Sequence, residues 1–228
     1  MGNLRGPWSV HPLVRRPCGA DKVMKLPPPQ QNYKLAFEIA AEKLRRADLE
    51  EVCRRSGARR GSGVLEVRFL RETLRIFLPQ VAFQPELPLI EQVITLRYLI
   101  NASGMPPTGR WISFSDLPGG APYFPAFRKR VVEPLLKCFS EAGGKLVEAA
   151  KALGGEELDY GDVGVVFQVF PKVKVAFVLW EGDEEVPSNA NVLFDESVRG
   201  YLSPDDLREL GWRLVYRMIK EVRHAPHH

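Results

Sequence analysis

Carboxylates are concentrated in one segment of the chain, "EGDEEVPSNANVLFDE", which follows an apolar run. Six acidic residues occur there without a Lys or Arg among them: Glu181, Asp183, Glu184, Glu185, Asp195 and Glu196. Carboxylate oxygens, with the amide oxygens of Asn189 and Asn191, are the ligands that Ca²⁺ and Mg²⁺ prefer, and a carboxylate can also act as a general base. The segment is therefore a candidate metal site in which Glu181, Asp183 and Asp195 are the ligands.

The same acidic segment has a second interpretation, as a solvated loop that leaves a buried strand. In that case Glu181 or Asp195 pairs with an arginine such as Arg110 or Arg128 and binds no metal. The spacing also excludes an EF-hand, because the sixth position counted from Asp183 is Ser188 and not glycine. We expect the loop with ion pairs, and we keep the metal site as the alternative.

A second segment is rich in aromatic residues: "GRWISFSDLPGGAPYFPAFRKR", residues 109–130. A site that uses both segments would lie between residues 110–128 and residues 180–195. Arg110 and Arg128 would hold ligand carboxylates or phosphates, and Glu181 would lie beside them. The apolar walls would come from Trp111, Tyr123 and Trp180, although Trp180 ends an apolar run, which favours a core position over a ligand contact.

Histidine and cysteine usage excludes several kinds of catalytic site. The four histidines are at positions 11, 224, 227 and 228, so residues 12–223 cannot form a His-based triad or a His-ligated metal site. The three cysteines are far apart and form no CxxC motif, which excludes a cysteine-ligated cluster. Neither GxxxxGK[ST] nor GxSxG occurs.

The net charge of +4 comes from the N-terminal residues. Residues 1–31 contain five basic residues against Asp21 alone, so the remainder of the chain is neutral. A neutral body does not favour binding to nucleic acid. No apolar run is long enough to span a membrane, and no signal peptide is recognised, so we expect a cytoplasmic protein with no membrane partner.

Periodicity divides the chain into an arm, a domain and a tail. Residues 1–31 are rich in Pro, Gly and Arg and predict a flexible arm, residues 32–223 predict a single domain, and residues 224–228 predict a disordered tail. Apolar residues recur with helical spacing from Tyr33 towards Gly57. Alternating apolar residues then predict two hairpins, at residues 65–78 and 165–180.

Further helices are predicted at residues 88–101, 125–139, 145–153 and from Ser203 onward. Pro134 should kink the second of these, because proline removes a helical hydrogen bond. Ser203 followed by Pro204, Asp205 and Asp206 is a strong helix-start pattern. The order of elements predicts an α+β fold, a mainly antiparallel sheet from two hairpins with helices packed on one face.

Two stretches resemble a known family. "GRWISFSDLPGG…YFPAFRKRVVEPLL" and "VLWEGDEEVPSNANVLFD…YLSPDDL" are similar to an uncharacterised prokaryotic family, domain of unknown function 3786, found mainly in anaerobic bacteria and archaea. The resemblance covers roughly residues 33–222. Some relatives resemble fusions to iron–sulfur modules that accompany corrinoid proteins, whereas this chain has no cysteine cluster. The family has no established activity to transfer.

The leading functional hypothesis is a non-catalytic ligand- or cofactor-binding domain. The resemblance implies a setting in anaerobic corrinoid, iron–sulfur or one-carbon metabolism, with an iron–sulfur or corrinoid protein as partner. The identity of the ligand or cofactor is not specified by any motif. Two alternatives stay open: a hydrolase or transferase that depends on a divalent metal bound by residues 181–196, and a protein-interaction module.

Overall fold

The computed structural model describes residues 31–224, with side chains for residues 33–223. The predicted arm and tail therefore lie outside the described residues, apart from Gln31 and His224. These two residues are the first residue of the first helix and the last residue of the last helix.

The N-terminal helical region consists of two helices, α1 (Gln31–Arg46) and α2 (Leu49–Ser56), where the sequence pattern predicted one. The break has a local cause: the Asp48 side chain accepts hydrogen bonds from the first backbone N–H groups of α2 and so begins a new helix. Gly57, with a φ of +76°, ends α2 as an αL cap.

The first predicted hairpin is confirmed and is the centre of a four-stranded antiparallel sheet. Its inward side chains are fully buried, and Val67 pairs with Leu74 across the two strands. Short strands flank the hairpin on both sides, and the order in the sheet follows the chain: β1 (Arg59–Gly61), β2 (Val64–Phe69), β3 (Glu72–Phe77) and β4 (Ala82–Gln84). Helix α3 (Leu89–Asn101) follows.

The second predicted hairpin is also confirmed and forms the middle of a five-stranded antiparallel sheet with the order β5-β9-β8-β7-β6. Its strands are β5 (Trp111–Ser113), β6 (Glu156–Glu157), β7 (Val163–Phe170), β8 (Val173–Trp180) and β9 (Asn189–Asp195). Strand β9 corrects the interpretation of residues 181–196 as one loop, because six of its residues, 189–194, pair with β8.

The helix predicted for residues 125–139 is divided by a π-helical turn. It comprises α4 (Phe124–Phe127), the π segment (Arg128–Val132) and α5 (Glu133–Phe139). Pro134 has no N–H for the carbonyl of Arg130, and the backbone N–H of Glu133 bonds instead to the carbonyl of Arg128. The predicted distortion is therefore a widened turn, which is a feature often found at functional sites. Helix α6 (Gly143–Ala152) follows.

The last helix, α7 (Pro204–His224), begins where the sequence predicted. Ser203 and Asp206 form a reciprocal cap, in which the Ser203 hydroxyl donates to the Asp206 carboxylate at 2.6 Å and accepts from the Asp206 backbone N–H at 3.3 Å. A 3₁₀ helix (Glu196–Gly200) connects β9 to this point. In the described part of the chain, no helix is long and apolar enough to cross a membrane.

The α+β class is confirmed. The π segment, α5 and α6 pack against the five-stranded sheet, and α7 packs against these helices and against α3. The two sheets meet where the backbone N–H of Leu70 donates to the carbonyl of Val169 at 2.8 Å. At this junction the rings of Tyr98 and Phe170 stack with centroids 4.3 Å apart, which extends one hydrophobic core through both sheets.

We predict that Phe167→Ala destabilises the protein by about 3–5 kcal/mol, because the ring is fully buried in the second hairpin and its removal leaves a cavity. Val175→Asp, opposite it in the register, should cost at least as much because it buries an unpaired charge. The measurement is the denaturant midpoint at an unchanged m-value.

Phe77→Ala is the matched control, because this ring lies on β3 and is 41% exposed. Its midpoint should fall much less than that of Phe167→Ala. Equal losses for the two phenylalanines would show that the second hairpin is not the structural centre.

Candidate functional site

Among the carboxylates of the two segments that the sequence singled out, Asp195 accepts the most hydrogen bonds. It ends β9, is 1% exposed, and accepts hydrogen bonds from the backbone N–H groups of Thr108 at 3.0 Å, Gly109 at 2.7 Å and Ser197 at 3.0 Å. The Thr108 hydroxyl adds a contact at 3.3 Å. The carboxylate therefore fixes the turn before β5 against the start of the 3₁₀ helix.

These hydrogen bonds set the protonation state of Asp195. Burial opposes ionisation, but the hydrogen bonds from Ser197, Thr108 and Gly109 outweigh it and hold the pKa of the Asp195 carboxyl below its usual value. Asp195 is thus an ionised structural residue whose oxygens are already occupied by donors. Such a carboxylate is poorly suited to bind a cation as well.

The structure does not bring the three proposed metal ligands together. Glu181 and Asp183 lie in the loop that joins β8 to β9, whereas Asp195 lies at the far end of β9. Six residues of extended chain separate the two ends by about 20 Å. Among residues 31–224, no group of three or more His, Cys, Asp or Glu is arranged to hold a metal ion. The structure therefore does not form the metal site that was predicted from Glu181, Asp183 and Asp195.

Asp183 has a local structural role in its exposed loop. Its Oδ1 accepts hydrogen bonds from the backbone N–H groups of Glu185 at 2.8 Å and Val186 at 2.7 Å, and these bonds lower the pKa of the carboxyl. The loop, with Ser140 and Glu141 at the end of α5, lines an open depression of about 400 Å³. Glu181 lines this depression and is exposed.

The arginines that the sequence suggested do not pair with Glu181 or Asp195. Arg110 forms its ion pair with Glu196, the residue that follows Asp195. Glu196 also pairs with Arg199 at 3.2 Å, so a single carboxylate is shared by two guanidinium groups. Arg128 is exposed at the start of the π segment. The expected pairing of Arg110 with Glu181 or Asp195 is therefore wrong by one residue, because Asp195 is taken up by backbone donors.

The aromatic residues of the predicted pocket are separated as well. Trp111 and Trp180 pack against one small cluster on the outer face of the five-stranded sheet, formed by Ala176, Val178 and Leu193. Trp111 lies opposite Asp195 and Trp180 opposite Asn189, at the two ends of β9. Tyr123 is 57% exposed on a separate 3₁₀ turn. The structure does not form a single pocket from Arg110, Trp111, Tyr123, Arg128, Trp180 and Glu181.

The aromatic segment meets residues 199–204, which follow the acidic segment, at another place, a cleft of about 410 Å³ in front of the N-terminus of α7. Leu117 and Pro118 contribute one wall, and residues 199–204 contribute the other. Asn101 and Ser103, which follow α3, complete the lining. The cleft combines apolar walls with a few polar groups, and its volume falls in the range of small-molecule sites.

Backbone packing holds the cleft in shape. The backbone N–H of Ser103 donates to the carbonyl of Gly200 at 2.9 Å, and a Cβ on Gly200 would lie 2.3 Å from the Ser103 Oγ. Only glycine permits this close approach. Arg199 bonds the carbonyl of Asp116 at 2.9 Å and pairs with Glu196, so its guanidinium, 36% exposed, is fixed at the edge of the cleft.

The chain matches the family model described as a domain of unknown function (DUF3786) over residues 48–217. Because the match covers most of the chain, the protein belongs to this family. No curated protein and no solved structure matches the chain. The family assignment confirms the resemblance and leaves the chemistry of the cleft to be argued from its residues.

Sequence reasoning missed Arg199, Gly200 and Ser103 as residues of the cleft. The predicted site extended only to residue 195, and Ser103 was given no role. The helix-start pattern at Ser203 marked the correct end of the cleft, but nothing local indicates that Ser103 contacts Gly200 across 97 residues.

We predict that Asp195→Asn lowers the free energy of unfolding by about 2–4 kcal/mol, because an amide replaces a carboxylate that accepts several charge-assisted hydrogen bonds. The pKa of Asp195 is lowered in the folded state, so its stabilisation is complete above the unfolded value near 3.9. The stabilisation is lost as the pH falls from there through the folded pKa. Chemical unfolding at pH 7 and at pH 3 should show a smaller difference between variant and wild type at pH 3.

Asp183→Asn makes the same chemical change in an exposed loop and serves as the control. It should cost much less at pH 7. A cost for Asp195→Asn no larger than that of Asp183→Asn would contradict the structural role of Asp195.

Proposed function

We propose that the protein is a ligand-binding domain that holds a small organic molecule in the cleft between residues 117–118 and residues 199–204. The observation that supports this function is the convergence of the two family-resembling stretches at one concave surface. The first stretch supplies Leu117 and Pro118, and the second supplies residues 201–204. The remainder of each stretch forms the β5–β9 pair and the helix that position these walls.

The lining indicates what kind of ligand fits. Pro118 presents exposed apolar surface to a ligand body, with the buried Leu117 and Leu202 behind it, while Arg199 offers a fixed cation to a carboxylate or phosphate of the ligand. The hydroxyl groups of Ser103 and Ser203 lie on the rim as further partners. An amphipathic molecule with one anionic end satisfies both the apolar walls and the guanidinium.

The metabolic setting forms a part of the proposal that rests on the family resemblance alone. This part proposes a role in corrinoid, iron–sulfur or one-carbon metabolism of an anaerobe, with an iron–sulfur or corrinoid protein as partner. The ligand would then be a cofactor or a metabolite of that chemistry. The metal-enzyme alternative is not carried further, because its carboxylates lie at opposite ends of β9.

We predict that native mass spectrometry of the full chain, purified without oxygen from its own host, shows a bound molecule. Arg199→Gln should weaken its retention by about tenfold or more, because a hydrogen bond to a charged group contributes roughly 1.5–3 kcal/mol. The fraction of ligand-bound chain at a series of collision energies is the measurement.

Arg128→Gln and Arg110→Gln are matched controls, since each removes one exposed arginine outside the cleft. Both should keep the bound molecule. If both control variants lose the bound molecule while Arg199→Gln keeps it, the site lies between residues 110–128 and 180–195 instead. If the wild-type chain carries no bound molecule, the proposal is contradicted.

A further inference from the structure

Helix α7 carries an unusual concentration of charge for a buried helix. On the side that faces the π segment and the start of α1 lie Arg208, Glu209, Trp212 and Arg213, and of these Glu209 is 6% and Trp212 4% exposed. Desolvating such groups is costly unless partners compensate. The hydrogen-bond and ion-pair partners of these four residues therefore show whether their charges and donors are compensated.

The ion pairs leave the arginines in excess. Glu209 is shared by Arg130 of the π segment, at 3.0 Å, and Arg208, at 3.8 Å. Glu91 of α3 is shared in the same way by Arg213 at 3.3 Å and Arg217 at 2.7 Å. One further carboxylate, Asp205, pairs with Arg208 but is itself 73% exposed. Four arginines thus share three carboxylates, and one of the three is exposed to solvent.

Buried donors without acceptors lie at the same place. The Nε atoms of Arg208 and Arg213 and the indole Nε1 of Trp212 are buried without a hydrogen-bond partner. In residues 33–223, Ser197 Oγ is the one other side-chain atom in this state. An unmet buried donor destabilises the folded protein, so three of them within six residues require a physical reason. All three need an acceptor.

Two of these donors, on Arg208 and Trp212, lie beside the π segment. Arg208 and Trp212 are one helical turn apart and therefore adjacent on the helix surface. The Arg130 guanidinium carbon lies 5.9 Å from the centre of the Trp212 ring, and a Cβ on Gly211 would lie 3.3 Å from Val131, so the π segment packs closely on α7.

Tyr33 of α1 covers the same region. Burial and the Glu209 carboxylate raise the pKa of its hydroxyl, while Arg130, Arg213 and Arg208 act in the opposite direction. The hydroxyl is therefore within electrostatic reach of all four charged groups and remains a protonated donor at neutral pH. It adds one more donor to a region that already lacks acceptors.

We propose that this donor cluster, formed by Tyr33, Arg130, Arg208, Trp212 and Arg213, is a second binding site and takes a phosphate group. Glu209 occupies terminal nitrogens of Arg130 and Arg208 and orients them, which leaves the Nε of Arg208 for the ligand. A phosphate offers a separate oxygen to each of Arg208, Trp212 and Arg213, and its charge of nearly −2 offsets more of the arginine charge than the single charge of a carboxylate does. The site is distinct from the cleft of residues 199–204, because none of its residues lines that cleft.

The test uses the full chain with inorganic phosphate, with acetate as the carboxylate probe and chloride as the reference at equal ionic strength. Phosphate should raise the melting temperature in a concentration-dependent manner and acetate should raise it less. In a ¹⁵N-labelled sample, phosphate should also shift the indole N–H signal of Trp212, identified by its loss in Trp212→Phe. The other indole signals should stay in place.

Arg208→Gln removes one donor at a position that is 25% exposed, so the chain should fold, and it should weaken phosphate binding by at least tenfold. Arg54→Gln removes a 70% exposed arginine on α2 and should bind phosphate like the wild type. The same phosphate shift in both variants, or a larger response to acetate than to phosphate, would overturn the proposal. So would a Trp212 signal that does not respond to phosphate.

Discussion

The arrangement at the end of β9 depends on one buried carboxylate. Asp195 accepts hydrogen bonds from two segments that are far apart in the chain, the turn at residues 108–109 and the start of the 3₁₀ helix at Ser197. The first segment leads into β5, the edge strand that pairs with β9, and the second leads through Arg199 and Gly200 to the cap of α7. Because the ionised Asp195 carboxylate holds both segments, the walls of the cleft are tied to the sheet.

Helix α7 imposes the second constraint. Its cap at Ser203 explains where it begins, and four buried residues anchor it in the core: Leu207, Leu210, Leu214 and Met218. Several of its arginines are held by carboxylates on other elements, such as Glu91 of α3. An ion pair of this kind stabilises little after desolvation, whereas a single partner left alone costs several kcal/mol. The arginines therefore determine how α3, the π segment and α7 fit together more than they add to the stability. The shared carboxylates also leave donors unmet on the same surface.

The elements of the fold that depend on residues close together in the chain were predicted from the sequence. Alternation at residues 65–78 and 165–180 predicted both hairpins, and the Ser203 pattern predicted the start of α7. Strand β9 was missed because its flanking carboxylates dominated the pattern, although Ala190, Val192 and Phe194 alternate inward. The break at Asp48 was missed because an N-cap in the middle of a helical pattern resembles an ordinary polar position.

The candidate site was less predictable because its contacts are not local. In the sequence, Asp195 and Asp183 look alike, since both are aspartates in the same acidic segment. In the structure, Asp195 is buried and accepts hydrogen bonds from three backbone N–H groups, whereas Asp183 accepts hydrogen bonds within an exposed loop. The difference depends on Thr108, 87 residues away, which no pattern around either aspartate records. Similarly, Arg110 and Arg199 share Glu196 because β5 and the 3₁₀ helix begin at the same corner of the sheet. A carboxylate-rich segment in a sequence therefore indicates candidate ligands, and the pairing of distant backbone donors decides which of them are already in use.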